Sequence, residues 1–126
     1  HLATLTFTPG PDTQSARYWC ASVALDARRI LVVGGENGGS PLSSTEILSL
    51  DTMAFSPGPT MATGRVGSTA ISLDEHHIMV VGGRSGSGMN TTEILDIRTM
   101  AFTPGPAMGS ARSWCAAVPV DAQHVL

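Results

Sequence analysis

Residues 78–83 read Ile-Met-Val-Val-Gly-Gly, and residues 30–35 read Ile-Leu-Val-Val-Gly-Gly, 48 positions earlier in the chain. A short apolar run that is rich in β-branched residues and bounded by glycines is typical of a strand buried on both faces. The glycine pair allows the backbone to turn sharply or to approach a neighbouring segment closely. The recurrence of the whole phrase indicates that the chain is built from repeats.

The repeat extends over all 126 residues. Phe7, Phe55 and Phe102 are each followed by Ser or Thr and then by Pro-Gly-Pro. An arginine follows each of these phenylalanines after ten residues, and Thr-Glu-Ile-Leu occurs at both 45–48 and 92–95. These landmarks define a tandem unit of about 47–48 residues.

Each unit is predicted to form four short strands joined by turns, because no helical periodicity is present. The strands are predicted at residues 19–25, 29–33, 44–50 and 53–56 in one unit, and at 67–73, 77–81, 91–97 and 100–103 in the next. The segments 36–43 and 84–90 contain many Gly, Ser and Asn residues and are predicted as loops. Because proline cannot donate a hydrogen bond to a neighbouring strand, the strand that ends at Pro-Gly-Pro is predicted to be the sheet edge.

Four antiparallel strands per unit, at a period in the forties, are typical of a propeller blade. The residues resemble the kelch-repeat family in the double glycine, the third-strand Glu, the fourth-strand aromatic and the Arg before the first strand. The family commonly has Trp in the fourth strand and Tyr in the third, where this chain has Phe and Leu. The structural positions that carry the resemblance are Gly34, Gly35, Gly82, Gly83, Glu46, Glu93, Phe7, Phe55 and Phe102.

The resemblance implies an all-β fold, namely a partial β-propeller of four-stranded antiparallel kelch-type blades with about 2.6 repeats. The chain is then a fragment of one propeller. Its expected parts are a fourth strand and loop (1–16), two blades (17–64 and 65–111) and the start of a further blade (112–126). Exposed blade faces would leave apolar side chains in water, so we expect the chain not to be stable as a compact monomer. The rest of a propeller or a second copy is expected to cover these faces.

The charge and cysteine content limit the classes of partner and compartment. The chain has a net charge of −3 and no lysine, and its seven arginines are scattered along the sequence. This argues against a nucleic-acid partner, because binding to nucleic acid needs a clustered basic surface. No apolar run approaches the roughly 18–20 residues needed to span a membrane. Cys20 and Cys115 are two units apart, too far for a disulfide. Buried free thiols are therefore predicted, which favours a reducing compartment such as the cytoplasm.

Arginines and glutamates recur once per unit and allow two interpretations. Arg17, Arg65 and Arg112 could pair with Glu46 and Glu93 within or between blades, or they could bind an acidic partner through bidentate hydrogen bonds. In kelch propellers the loops between fourth and first strands and between second and third strands form the usual binding face. By this resemblance the face would contain Arg17, Tyr18, Arg65, Arg112, Glu36, Asn37, Arg84 and Ser85.

Trp19 and Trp114 occupy equivalent positions in the predicted first strands, where the middle unit has Gly67. Each tryptophan is predicted either to fill the core or line a central channel, or to be an exposed aromatic anchor at the binding face.

The predicted function is that of a protein-interaction module or scaffold that binds a protein or peptide through its loop face. The alternative is a carbohydrate-active enzyme of the same fold, similar to a sialic acid mutarotase or to galactose oxidase. Tyr18 is the only tyrosine, and no His-Tyr-Cys set is apparent, which counts against the copper enzyme. No residue is singled out as catalytic, as cofactor-binding or as a metal ligand, and no cofactor is predicted. A third possibility is that these blades serve only as scaffold.

Overall fold

The computed structural model describes residues 8–110, which form two four-stranded antiparallel sheets and contain no helix. Blade A consists of β1 (Ala21–Ala24), β2 (Arg29–Val33), β5 (Thr45–Ser49) and β6 (Ala54–Pro57). Blade B consists of β7 (Thr69–Asp74), β8 (His77–Val81), β11 (Thr92–Asp96) and β12 (Ala101–Pro104). Two small hairpins complete the strands: β3 (Glu36–Asn37) with β4 (Ser40–Pro41), and β9 (Arg84–Ser85) with β10 (Ser87–Gly88).

The all-β fold and the four-stranded antiparallel blades are confirmed. The strand orders are β1-β2-β5-β6 and β7-β8-β11-β12, so neither sheet closes on itself. The strand that ends at Pro-Gly-Pro lies at the edge in both blades, as predicted. Within residues 8–110 there is no helix long and apolar enough to cross a membrane. Phe7, Arg112, Trp114 and Cys115 lie outside the described residues.

The first strands begin later than predicted because the backbone before them is left-handed. Trp19 has φ 53° and Gly67 has φ 69°, and such a residue cannot continue a β-strand. The first strands therefore begin at Ala21 and Thr69. The fourth strands are each shifted by one residue for the same reason, since Met53 and Met100 have φ 53° and 54°.

The predicted loops after the double glycines contain the two small hairpins, so their assignment as loops was wrong in part. In the first hairpin, Gly38 and Gly39 have φ 61° and 85° and form the two-residue turn between Asn37 and Ser40. Positive φ at both central residues is the conformation of a tight hairpin turn, which the Gly-Gly sequence favours. Sequence composition indicated a turn here, but not the pairing on either side of it.

The core lies between the two blades. Blade A contributes Leu31 and Val33, and blade B contributes Ile78, Val80 and Leu95, all of which are completely buried. Smaller contributions come from partly buried side chains on the same faces: Ala21, Val23, Ile47, Ala70 and Phe102. Burial of each large apolar side chain stabilises the fold by about 1.5–3 kcal/mol. The two blades are therefore held together by one apolar face of each.

The first double glycine lies at a close backbone contact with the segment that leads into blade B. Gly34 and Gly35 have φ 61° and 91°. A Cβ on Gly34 would lie 2.6 Å from the carbonyl oxygen of Arg65. The Gly35 amide donates a hydrogen bond to the same oxygen at 2.8 Å. A side chain at Gly34 would force these backbones apart, so this position requires glycine for both its conformation and its space.

Candidate functional site

The two hairpins and the segments before β1 and β7 lie together at one end of the sheets, which we call the loop end. Its residues are Tyr18, Trp19, Glu36, Asn37, Val66, Arg84 and Ser85. Tyr18 and Glu36 exchange two backbone hydrogen bonds of 3.0 and 2.9 Å. Val66 and Arg84 make the same exchange in blade B, at 3.0 and 2.8 Å. Each hairpin is thereby attached to the segment that leads into its own blade.

Arg65 fixes the segment that leads into blade B. Its Nε donates to Glu93 at 3.1 Å, and its Nη1 donates to the carbonyl oxygens of Gly82 and Thr91 at 2.8 and 3.0 Å. The arginine is 1% exposed and Glu93 is 4% exposed. The other oxygen of Glu93 accepts a hydrogen bond from the amide of Ala62. A buried guanidinium with this many partners is a structural group.

Arg17 repeats this arrangement in blade A. Its Nε donates to Glu46 at 2.9 Å, and its Nη1 donates to the carbonyl oxygens of Gly34 and Ser44. The amides of Gln14 and Ser15 complete the hydrogen bonding of the Glu46 carboxylate. Both side chains of the ion pair are 3% exposed. We call the two arrangements the blade A clasp and the blade B clasp.

The clasps correspond to the first of the two interpretations offered for the recurring charges. Each pair forms within one blade, and each carboxylate also holds the chain segment that precedes the blade. Arg17 and Arg65 are therefore not presented to an acidic partner or an anionic sugar, because their guanidinium groups are buried and already hydrogen-bonded. The sequence contains the signal for this pairing, since one Arg is followed by one Glu after 29 residues in the first unit and after 28 in the second.

The Glu46 carboxylate has a perturbed acidity. Burial acts to raise its pKa, but the hydrogen bonds from the Gln14 amide, the Arg17 guanidinium and the Ser15 amide outweigh that effect. The pKa of Glu46 therefore lies below the ordinary glutamate value of 4.5. The carboxylate stays charged at neutral pH and keeps the blade A clasp closed.

Aromatic side chains are exposed at the loop end. Tyr18 is 64% exposed and Trp19 is 55% exposed, with ring centroids 6.3 Å apart and planes tilted by 51°. The core-filling interpretation of Trp19 is thus wrong, because its left-handed backbone directs the chain out of the sheet before β1 begins. Gly67, the counterpart of Trp19, donates its amide to the Trp19 carbonyl oxygen at 3.0 Å, next to the contact between the blades.

The four hairpin positions of the loop end differ in exposure. Asn37 and Ser85 are exposed, whereas Glu36 and Arg84 are half-buried. All four belong to the hairpins β3–β4 and β9–β10, so the structure brings them to the same end as Tyr18 and Trp19. The left-handed backbone under Trp19 was not predicted, although the alignment of a tryptophan with Gly67 is a signal that could have revealed it.

Cys20 is a free thiol but an exposed one. Its predicted burial was wrong because the residue precedes β1 and so lies outside the face that packs between the blades.

The opposite end of blade A carries a cleft of about 460 Å³, lined by Asp26, Ala27, Arg28, Arg29, Ser49 and Asp51. The charges there pair with one another, since Arg29 lies 2.9 Å from Asp26 and Arg28 contacts Asp51. This cleft is remote from the loop end and was not predicted from the sequence. Among residues 8–110, no group of three or more His, Cys, Asp or Glu side chains is placed to hold a metal ion.

Comparison with known proteins identifies the motif that blade A forms. The family model of the kelch motif matches residues 20–62, which include all four strands of blade A. No curated protein matches the chain. Blade A therefore has the sequence of a kelch motif, and blade B repeats its strand order and its clasp. The enzymatic alternative stays a prediction.

Proposed function

We propose that this kelch-repeat chain is a protein-interaction module that binds a protein or peptide partner through its loop end. The observation that carries the proposal is Trp19, a large aromatic side chain that is 55% exposed on a left-handed backbone. Exposed Trp and Tyr side chains supply the anchors of many protein interfaces, because they bury a large area with few rotatable bonds.

Trp19 is costly for the fold, which argues for a role outside it. A left-handed conformation costs a non-glycine residue about 1–2 kcal/mol. Gly67 takes the same conformation at the equivalent position in blade B without that cost. A glycine at position 19 would therefore satisfy the backbone, and the tryptophan places a largely exposed ring there, beside Tyr18. Strained residues with exposed functional side chains are typical of binding sites.

The structure beneath Trp19 is suited to hold it in place. Backbone hydrogen bonds attach Tyr18, the residue before Trp19, to Glu36 of the first hairpin. The blade A clasp fixes Arg17, the next residue towards the N-terminus. A binding residue on such a supported segment loses little conformational freedom when a partner binds. Arg17 and Arg65, which the sequence suggested as contacts, thus support the site as positioning residues.

A matched pair of variants tests the proposal. Trp19→Gly removes the exposed ring from the loop end, and Met53→Gly removes an exposed side chain from the opposite end. Met53 is 50% exposed and has the same φ of 53°, so both glycines relieve the same backbone cost. Both variants are expected to fold, with melting temperatures at or above that of the wild type.

Peptides selected from a displayed random library against the wild-type chain serve as the probe. We expect Trp19→Gly to weaken their binding by at least about tenfold, as truncation of an interface anchor does, and Met53→Gly to leave it unchanged. Fluorescence anisotropy titrations measure both affinities. Equal affinities for the two variants, or a library that yields no binding peptide, would overturn the proposal.

A further inference from the structure

We propose that the loop end of blade A binds a positively charged side chain of the partner, an arginine or a lysine, between the ring of Tyr18 and the carboxylate of Glu36. The assignment rests on the proposed function and names the chemistry of that same partner, a peptide segment with an exposed basic residue. The feature that carries it is a backbone bridge, in which Tyr18 and Glu36 lie opposite each other on antiparallel segments.

The bridge places the two side chains next to each other. The Tyr18 amide donates to the Glu36 carbonyl oxygen at 3.0 Å, and the Glu36 amide donates to the Tyr18 carbonyl oxygen at 2.9 Å. Residues that oppose each other in an antiparallel pair direct their side chains to the same face, with Cβ atoms about 4.5–5.5 Å apart. The Trp19 ring centroid lies 6.3 Å from that of Tyr18. The Tyr18 ring therefore has a second aromatic ring and a carboxylate as neighbours.

Both members of the bridge are accessible to a partner. The Tyr18 side chain is largely exposed and Glu36 is half-buried. Within residues 8–110 the Glu36 carboxylate makes no ion pair, whereas Glu46 and Glu93 are held by the arginines of the clasps. A cation above an aromatic ring is attracted by the electrons of the ring face, and a carboxylate beside the ring adds a Coulombic attraction. A neutral or acidic side chain would gain neither.

Blade B shows that the fold does not require this combination of side chains. Its equivalent bridge joins Val66 to Arg84 through the same exchange of backbone hydrogen bonds. An aliphatic side chain thus replaces the tyrosine, and a positive charge replaces the negative one. Because one bridge geometry accepts both pairs, the ring and the carboxylate of blade A are available for a role outside strand pairing. The net charge of −3 also favours the approach of a basic segment.

Reversal of the charge at the bridge is the first test. Glu36→Arg gives blade A the residue that blade B has at this point, and the bridge itself uses backbone atoms only. Glu75→Arg is the matched control, since it makes the same change of charge at an exposed position in the turn between β7 and β8, at the opposite end of the sheet. Circular dichroism checks that both variants are folded.

The probe is the set of peptides selected from the displayed library against the wild-type chain. We expect Glu36→Arg to weaken their binding by at least about tenfold, because like charges would then meet at the contact. Glu75→Arg should change it by less than about twofold, since solvent and salt screen a charge at that distance. Equal losses in the two variants would overturn the proposal, because the effect would then come from net charge alone.

A second measurement changes the peptide and needs no variant of the chain. Each selected peptide is expected to contain an arginine or a lysine. Its replacement by uncharged citrulline or norleucine should weaken binding to the wild type by about threefold to tenfold. The same replacement should matter less for the milder variants Glu36→Gln and Tyr18→Val, which lack one of the two groups that contact the charge. An undiminished effect in both variants would place the cation elsewhere and contradict the proposal.

The outcomes also separate this proposal from the proposed function. Peptides that bind without any basic residue, and that lose affinity in Trp19→Gly, would overturn the charged contact and leave the interaction module intact. A library that yields no binding peptide would overturn both.

Discussion

Blades A and B have the same strand order and the same buried ion pair, but equivalent residues lie in different surroundings. Leu95 is completely buried, whereas its counterpart Leu48 is half-buried. Val66 is buried and Gly67 lies beside the other blade, whereas Tyr18 and Trp19 are exposed. The difference arises because blade B packs on blade A through the side that contains Leu95. The equivalent side of blade A, which contains Leu48, has no neighbouring blade among the described residues.

The comparison teaches that a repeat specifies the strands and their contacts locally, but that burial belongs to the pair of blades. The ion pair of each clasp joins two residues of a single unit and forms alike in both. The apolar faces depend on a neighbour, and only one of the two identical faces is covered. Interactions between units should therefore differ most between the two blades, and interactions within a unit should differ only where the segment next to them differs.

The largest expected effect comes from breaking the blade B clasp. Arg65→Met leaves the Glu93 carboxylate buried without its partner, and loss of one member of a buried ion pair costs about 3–5 kcal/mol. Arg17→Met should cost less, because the exposed segment that contains Gln14 can move away and admit water to Glu46. Urea unfolding measures the free energy of both variants.

A surface ion pair provides the control for this measurement. Arg98 contacts Asp96 at 3.2 Å, but its side chain is 59% exposed, so Arg98→Met should cost no more than about 1 kcal/mol. If Arg65→Met were as mild as Arg98→Met, the blade B clasp would not hold the segment between the blades.

A smaller effect is expected from truncating the equivalent leucines. Leu95→Ala removes a completely buried side chain and should lower the free energy of unfolding by about 2–5 kcal/mol. Leu48→Ala should cost clearly less at low protein concentration, since water already reaches part of that side chain. Urea unfolding at low and high protein concentration measures both. Equal costs at every concentration would mean that the two faces are covered alike within one chain.

The smallest expected effect is a pH dependence of the blade A clasp. The pKa of Glu46 is lowered in the folded chain, so the unfolded chain binds the proton more readily. The resulting stability is fully present above the unfolded value near 4.5 and is lost as the pH falls through the folded pKa. Glu46→Gln should flatten the dependence of the unfolding free energy on pH in this range. A variant curve as steep as that of the wild type would assign the acid sensitivity to other carboxylates.

Much of the fold could be predicted from the sequence, because its signals are local and occur twice. The Val-Val-Gly-Gly phrase predicted the buried second strand, and the Pro-Gly-Pro sequence predicted the edge strand. Both strands were confirmed, at 29–33, 77–81 and the two sheet edges, although Ile30 and Val32 leave one face of the strand at 29–33 only half-buried. Strand ends were less accurate, because the left-handed backbone at Trp19, Met53 and Met100 is unusual for these residue types.

The candidate site was less predictable, since exposure depends on contacts between distant segments. The recurring arginines were predicted as possible contacts for an acidic partner. Arg65, however, is among the most buried residues in the described part of the chain. Its Glu93 partner lies 28 residues away, and the pair closes only when β11 and the segment before β7 meet. Cys20 was placed in the interior by its residue type, but its position before β1 exposes it.

The sequence by itself determined the repeat, the strand pattern of each unit and the residue types that meet in each clasp, because spacing of 47–48 residues places the same chemistry at the same point of every blade. Only the tertiary structure decided which copies of those residues are buried. A face is buried only when a second surface packs on it, and the sequence of one repeat does not show whether a neighbouring repeat covers that face. For that reason Trp19 is exposed, and Leu48 of blade A is only half-buried where Leu95 of blade B is completely buried.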